Sequence, residues 1–97
     1  MESLIQEQGG TLSIEVTVNS PLGLHARPAA RLVQELQNFT ADVRINHEGL
    51  HANAKSILDI MSLAATSGST LLLTAEGDDA RPALLRAAEL ITSGFKE

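Results

Sequence analysis

The residues best suited to chemistry lie where a predicted loop meets a predicted helix, in the segment 19–30, NSPLGLHARPAA. His25 stands where that helix begins. Ser, Thr, Asp and Asn are preferred there, because a short side-chain oxygen can accept the unpaired N–H groups of the first turn. The tetrapeptide ARPA also opens a second predicted helix at residues 80–83, and there Asp79 takes the place of His25. We therefore expect an ordinary cap at Asp79 and a functional role for His25.

The surroundings of His25 point to phosphate chemistry. The N-terminus of a helix presents positive potential to an anion, and the Arg27 guanidinium can pair with phosphate oxygens. Pro28 is tolerated in the first turn and stiffens the junction. The same positive field favours the neutral imidazole, whose ring lone pair is a nucleophile. We predict that His25 accepts a phosphoryl group. The alternative, a loop histidine with one backbone hydrogen bond, is less favoured because these features converge.

The sequence around His25 lacks the parts of a self-sufficient enzyme. No second histidine, carboxylate or metal-ligand cluster lies near it in sequence, and the chain contains no GxxxxGK phosphate loop. A nucleophile without machinery for its own donor depends on the active site of another protein. We therefore expect a carrier that needs no cofactor and no metal.

Composition limits the remaining possibilities. The chain has 97 residues, enough for one domain, and its only aromatic residues are Phe39 and Phe95. It has no cysteine, and its formal net charge of −5 argues against nucleic-acid binding. No apolar run approaches the ~20 residues of a membrane span, and the N-terminus lacks a signal pattern. These features predict a soluble, cytoplasmic domain.

The periodicity of apolar residues predicts the elements that position His25. Residues 1–10 show no sustained period and are expected to form a mobile extension before a domain at 11–97. The order β-α-β-β-α-β-α follows from alternation in strands and from a three-to-four-residue period in helices. The predicted elements lie near residues 12–18, 29–36, 43–45, 50–53, 56–65, 70–75 and 79–95. This order predicts a two-layer α+β domain, with helices on one face of a four-stranded antiparallel sheet.

Two motifs together resemble a known family. The segments 23–29, GLHARPA, and 53–58, NAKSIL, are similar to those of HPr proteins, the phosphocarriers of the bacterial phosphoenolpyruvate-dependent sugar phosphotransferase system. The resemblance runs from about Leu12 to the C-terminus and implies an open-faced β-sandwich. It also implies that His25, through Nδ1, takes phosphate from enzyme I and passes it to the A component of sugar permeases. Arg27 corresponds to the active-site arginine of the family.

The second motif contains Ser56, which with Asp59 resembles a capping box. We expect Ser56 to cap the second helix. In some relatives the matching serine is phosphorylated by HPr kinase, so Ser56 is also a possible regulatory phosphosite. The acidic Asp59 departs from many relatives, in which glycine or a basic residue is common at this position.

The second helix is apolar on too many sides to be buried completely. Ile60, Leu63 and Ala64 are expected to face the core, and the remaining apolar residues suggest a contact surface. In the family the first two helices dock the partners. The predicted interface consists of Leu24, Ala26, Ala30, Ile57, Leu58 and Met61. We expect the protein itself to be a monomer.

Other interpretations remain open at this point. His47 and His51 flank a predicted turn, but two exposed histidines without a third ligand would form a weak metal site. Asp78 and Asp79 are expected to be helix-capping residues. Within the family, the alternative is the nitrogen-related regulatory branch. A regulatory binding module of the same fold that does not transfer phosphate is a further possibility, against which His25, Arg27 and Pro28 speak.

Overall fold

The computed structural model describes residues 1–96. A short 3-10 helix at Glu2–Leu4 precedes the first strand. The further elements are β1 Gln6–Gln8, β2 Thr11–Thr17, α1 Ala26–Leu36, β3 Asp42–His47, β4 Leu50–Asn53, α2 Ile57–Ser62, β5 Thr70–Glu76 and α3 Ala80–Ser93. The sheet has the order β1-β2-β5-β3-β4, and all neighbouring strands are antiparallel. The predicted α+β class and antiparallel sheet are confirmed.

The number of strands was predicted wrongly, because the sheet has five strands and not four. The additional strand, β1, lies within the segment assigned to the N-terminal extension and pairs with the start of β2. All its side chains are polar and exposed, so no alternation of apolar residues marks it. The chain reverses instead at Gly9 and Gly10, both of which have positive φ.

The core lies between the sheet and the three helices. Every second residue of the central strands is buried, and so is the predicted stripe of α3. This stripe consists of Leu84, Ala87, Ala88 and Ile91. In α1 the residues Ala29, Leu32 and Leu36 are fully buried. The apolar face of each helix thus covers the apolar face of the sheet. Within residues 1–96, no helix has the length and apolar character that a membrane span requires.

The prediction that Asp79 caps α3 was wrong. Asp79 occupies the N-cap position, but its side chain makes no capping hydrogen bond within the described part of the chain. Its carboxylate accepts the backbone N–H groups of Thr40 and Ala41 at 2.9 and 2.8 Å. These hydrogen bonds, the one from Thr40 above all, lower the pKa of Asp79. Asp79 therefore joins the start of α3 to the chain that leads into β3.

Candidate functional site

His25 is the N-cap residue of α1, as the sequence predicted, and its backbone is extended, with φ −82° and ψ −169°. Its carbonyl accepts the N–H of Ala29 at 3.0 Å, which closes the first turn. Among residues 1–96, its side chain makes no capping hydrogen bond with the helix, and the residue is exposed. The imidazole is therefore placed at the helix N-terminus without contributing to the cap.

The loop before His25 is held at several points. The buried Ser20 hydroxyl donates to the carbonyl of Gly23 at 2.8 Å, and the N–H of Leu24 donates to the carbonyl of Ala65 at 3.1 Å. Gly23 has a φ of +74°, and a Cβ atom there would lie 2.2 Å from the oxygen of Ala65. Only glycine allows this approach. The loop therefore holds the backbone at His25 in a fixed position.

A cavity of about 290 Å³ brings His25 together with Arg27 and Pro28. The remaining lining residues are Ser20, Pro21, Arg31, Gly94 and Phe95. Within the described chain, none of the lining residues carries a carboxylate, and Arg27 forms no ion pair. The cavity thus presents an imidazole and guanidinium groups, which suits a phosphoryl group attached to the imidazole.

One wall of this cavity comes from the end of α3, which sequence reasoning missed. Gly94 ends α3 in a left-handed conformation with φ 71°. The side-chain amide of Asn19 donates to the carbonyl of Thr92 at 3.1 Å. A Cβ atom on Gly94 would lie 2.9 Å from the backbone carbonyl oxygen of Asn19. A glycine after an apolar helix signals a C-cap. No local signal indicates which loop that cap will meet.

His25 also lines a second cavity, which is an apolar groove. His25 and Met61 line it together with Leu22, Leu24, Ala64, Ala65 and Thr66, and its volume is about 330 Å³. Leu22 is 76% exposed and was not predicted. The sequence did indicate that Leu22 is exposed, because it lies in a Pro-x-Gly loop next to the candidate nucleophile.

The predicted interface residues are exposed with one exception. Leu58 is 79% exposed, and Ala26, Ala30, Ile57 and Met61 are exposed as well. Leu24 is only 3% exposed because it packs into the hydrophobic core, so its side chain adds little to this surface. We call Leu22, Ala26, Ala30, Ile57, Leu58 and Met61 the apolar surface.

Within the second helix, Ile60 and Leu63 are buried as predicted. Ala64 is exposed, contrary to the prediction. Helix α2 ends at Ser62, and Ala64 has a positive φ of 53°, so the helical spacing no longer applies at that position.

Ser56 is confirmed as the N-cap of α2, and its hydroxyl accepts the N–H of Asp59 at 3.3 Å. The second hydrogen bond of the predicted capping box, from the N–H of Ser56 to the carboxylate of Asp59, is replaced by other contacts. The carboxylate of Asp59 accepts the N–H of Asn53 at 3.1 Å and not that of Ser56, whose N–H donates to the carbonyl of Asn53. Asp59 therefore also fixes the turn that precedes α2.

The two remaining histidines differ from each other. His51 is exposed, and its Nδ1 pairs with the side-chain oxygen of Asn46. The expectation that His47 is exposed was wrong, because it is the last residue of β3 and follows Val43 and Ile45 on the buried face. Its Nδ1 has no hydrogen-bond partner among the described residues. Within residues 1–96, no cluster of three or more His, Asp or Glu side chains is arranged so that it could hold a metal ion.

Comparison with known proteins identifies the class. A family model described as "PTS HPr component phosphorylation site" matches residues 12–93. The chain therefore belongs to the HPr family of phosphocarrier proteins of the phosphotransferase system. It is 38% identical over 86 residues to the phosphocarrier protein HPr of Xylella fastidiosa, an alignment that covers 89% of this chain and 97% of that protein.

Two further relatives extend the comparison. The HPr-like protein Crh of Bacillus subtilis is 44% identical over 77 residues, which cover 79% of this chain and 91% of Crh. The crystal structure of a phosphocarrier protein HPr from Bacillus anthracis superimposes with a TM-score of 0.82 at 44% identity. That match covers 86% of this chain and 99% of the other.

Proposed function

We propose that this chain is a histidine phosphocarrier in which His25 accepts a phosphoryl group from phosphorylated enzyme I. It then passes the group to the A component of sugar permeases. One observation carries the proposal: an exposed imidazole, not used as a cap, stands at the N-terminus of α1 in one cavity with Arg27. Membership of the family supports the same role.

The transfer is an exchange between two histidines. The lone pair of the His25 ring, at Nδ1 by analogy with the family, attacks the phosphorus atom. The new P–N bond forms while the P–N bond to the histidine of enzyme I breaks, and the donor ring keeps that electron pair. Each ring retains the proton on its other nitrogen, so no base is required. Arg27 and the N–H groups of the first turn then face the phosphoryl oxygens.

The apolar surface is the proposed docking site for both partners. It lies beside His25, and its exposed side chains come from the loop and from both of the first two helices. A carrier must bind a donor and an acceptor in turn, and Met61 provides a flexible side chain for such alternating contacts. HPr kinase is a possible third partner, acting at Ser56.

The test is phosphorylation by enzyme I and phosphoenolpyruvate. One phosphate per chain is expected, labile to acid and stable to alkali, and His25→Ala should abolish it. His51→Ala, which removes another exposed histidine, is the matched control and should leave it unchanged. An acid-stable product, or labelling that survives His25→Ala, would contradict the proposal.

Docking is tested separately from transfer chemistry. Arg27→Ala should slow transfer with little effect on binding, since it removes a phosphate contact. Met61→Asp should weaken binding to enzyme I, because the new charge must lose its water in an apolar contact. Leu50→Asp is a suitable control: Leu50 is 52% exposed at the start of β4, outside the apolar surface. Equal affinity of both Asp variants would argue for a different docking surface.

Crh of Bacillus subtilis is named the catabolite repression HPr, and the similarity to it favours a second candidate, a regulatory protein of the same fold. The nitrogen-related branch is a third reading and shares the phosphorylation step. A wild-type chain that enzyme I does not phosphorylate would support the regulatory candidate. A phosphorylated chain that transfers to no A component of a sugar permease would support the nitrogen-related branch.

A further inference from the structure

A second arginine, Arg31, lines the cavity that contains His25 and Arg27. We propose that Arg31 is a phosphoryl-binding residue which turns from an ion pair with Glu35 toward the phosphoryl group once His25 carries it. This inference rests on the proposed function and extends it, because it assigns the phosphoryl group a second cationic partner.

The helix geometry supports this assignment. Arg27 and Arg31 are four residues apart and therefore lie on the same face of α1. Helical side chains lean toward the N-terminus of their helix, so Arg31 leans toward the turn that His25 caps. Both guanidinium-bearing residues line the cavity together with His25. Arg31 is thus positioned one turn behind Arg27, on the side where the phosphoryl oxygens will be.

The ion pair with Glu35 is one of the contacts that hold Arg31 before phosphorylation. Arg86 on α3 places its Nε 2.7 Å from one carboxylate oxygen of Glu35. The Nε of Arg31 lies 3.8 Å from the other oxygen. The hydrogen bond from Arg86 is the main cause that lowers the pKa of Glu35, so the carboxylate stays ionised at neutral pH. Glu35 therefore holds Arg86 closely and Arg31 at a longer distance.

Phosphorylation changes the competition for Arg31. Glu35 offers a single negative charge that it already shares with Arg86. A phosphoryl group on His25 brings up to two negative charges and three acceptor oxygens into the same cavity. The side chain of Arg31 is 33% exposed and does not belong to the hydrophobic core, so it can reorient without disturbing core packing. Because the Arg86–Glu35 bond remains, the contact between α1 and α3 is kept when Arg31 moves.

The experiment measures the ionisation of the phosphoryl group itself. The full chain carrying His51→Gln, so that His25 is the exposed histidine, is phosphorylated chemically with potassium phosphoramidate. The ³¹P NMR signal is then titrated with pH. Arg31→Gln is compared with Arg44→Gln, which removes the same charge from a strand residue outside the cavity. Circular dichroism checks that both variants are folded.

A nearby cation stabilises the dianion and lowers the pH at which it forms. We expect Arg31→Gln to raise the titration midpoint by roughly 0.3–0.7 pH unit, a twofold to fivefold loss of dianion stabilisation. Arg44→Gln should leave the midpoint unchanged. Equal midpoints in the two variants would overturn the inference. Slower transfer from Arg31→Gln with an unchanged midpoint would also overturn it, because Arg31 would then act on the partner.

The two proposals can fail independently. Chemical phosphorylation does not require enzyme I, so the titration tests Arg31 whatever enzyme I does. If enzyme I fails to phosphorylate the wild-type chain, the proposed function fails. A raised midpoint in Arg31→Gln would still support the contact between Arg31 and a phosphoryl group on His25.

Discussion

His25 and Asp79 both precede the tetrapeptide ARPA at a helix start, and neither side chain caps its helix within the described residues. Asp79 instead binds two backbone N–H groups of the segment that leads into β3. The imidazole of His25 faces a cavity. Both helices therefore begin without a side-chain cap, and each N-cap side chain faces groups outside the first turn of its own helix.

At the residue scale, we first predict that Asp79→Asn destabilises the protein in a pH-dependent way. The folded state lowers the pKa of Asp79, so its stabilising contribution is complete at neutral pH. The contribution is lost as the pH falls from 3.8, the usual pKa of aspartate, through the lower pKa that Asp79 has in the folded protein. Urea denaturation at several pH values should show a stability difference between wild type and Asp79→Asn that is largest near pH 7 and shrinks in acid. Asp78→Asn controls for net charge, and a difference that does not vary with pH would contradict the prediction.

A second residue-scale prediction concerns Ser56. Ser56→Ala should lower the free energy of unfolding by about 0.5–2 kcal/mol through loss of the cap. Transfer through His25 should be largely unchanged. The capping hydrogen bond is long at 3.3 Å, so we expect the lower part of that range.

As a phosphosite, Ser56 should be poor. A phosphate there gains from the helix N-terminus but arrives within one turn of Asp59, whose like charge opposes it. The assay compares the wild type with Asp59→Gly, using HPr kinase and ATP. Efficient phosphorylation of the wild type, with no gain from the glycine, would make Ser56 a regulatory switch.

At the element scale, the loop of residues 20–24 determines where His25 stands. Gly23→Ala should be strongly destabilising and should slow transfer. The new Cβ meets the carbonyl of Ala65 and displaces the loop. Gly68→Ala is the matched control, because Gly68 also has a positive φ but nothing lies within 4 Å of its built Cβ. We expect Gly68→Ala to lower the free energy of unfolding by about 1 kcal/mol through backbone strain. Gly23→Ala should lower it by ~1–3 kcal/mol more because of the close contact. If urea denaturation shows equal losses of stability in the two variants, the close approach of Gly23 to Ala65 does not contribute to the effect.

At the scale of the whole molecule, β1 covers the outer edge of β2 over residues 11–13. An uncovered strand edge can pair with another chain. We predict that the full chain is a monomer and that deletion of residues 1–9 leaves a folded protein that self-associates. The fold should survive because none of residues 1–9 is fully buried and only Ile5 among them packs partly against the core. Light scattering after gel filtration gives the measurement, and deletion of residues 1–4, which keeps β1, is the control. A truncated chain that stays monomeric at high concentration would contradict the prediction.

Local sequence patterns were sufficient to predict the elements from residue 11 onward and the position of the candidate nucleophile. Alternation at Leu12, Ile14 and Val16 and the helical spacing of Leu84, Ala87 and Ile91 report which face of an element is apolar. A histidine at a helix start, followed by Arg27 and Pro28, is likewise a local pattern. Such patterns can be read without knowing which distant segment will lie opposite.

The contacts between segments that are distant in sequence, by contrast, could be identified only from the folded chain. Gly94 and Phe95 complete the cavity at His25 because α3 ends against the loop at Asn19. Asp79 binds Thr40 and not its own helix because the two segments pack together. Strand β1 forms through backbone pairing with β2. Its side chains are all polar and exposed, so no apolar pattern in the sequence marks the strand. In each case the deciding interaction joins backbone groups or loops whose proximity depends on packing of the whole chain, and local sequence does not encode that proximity.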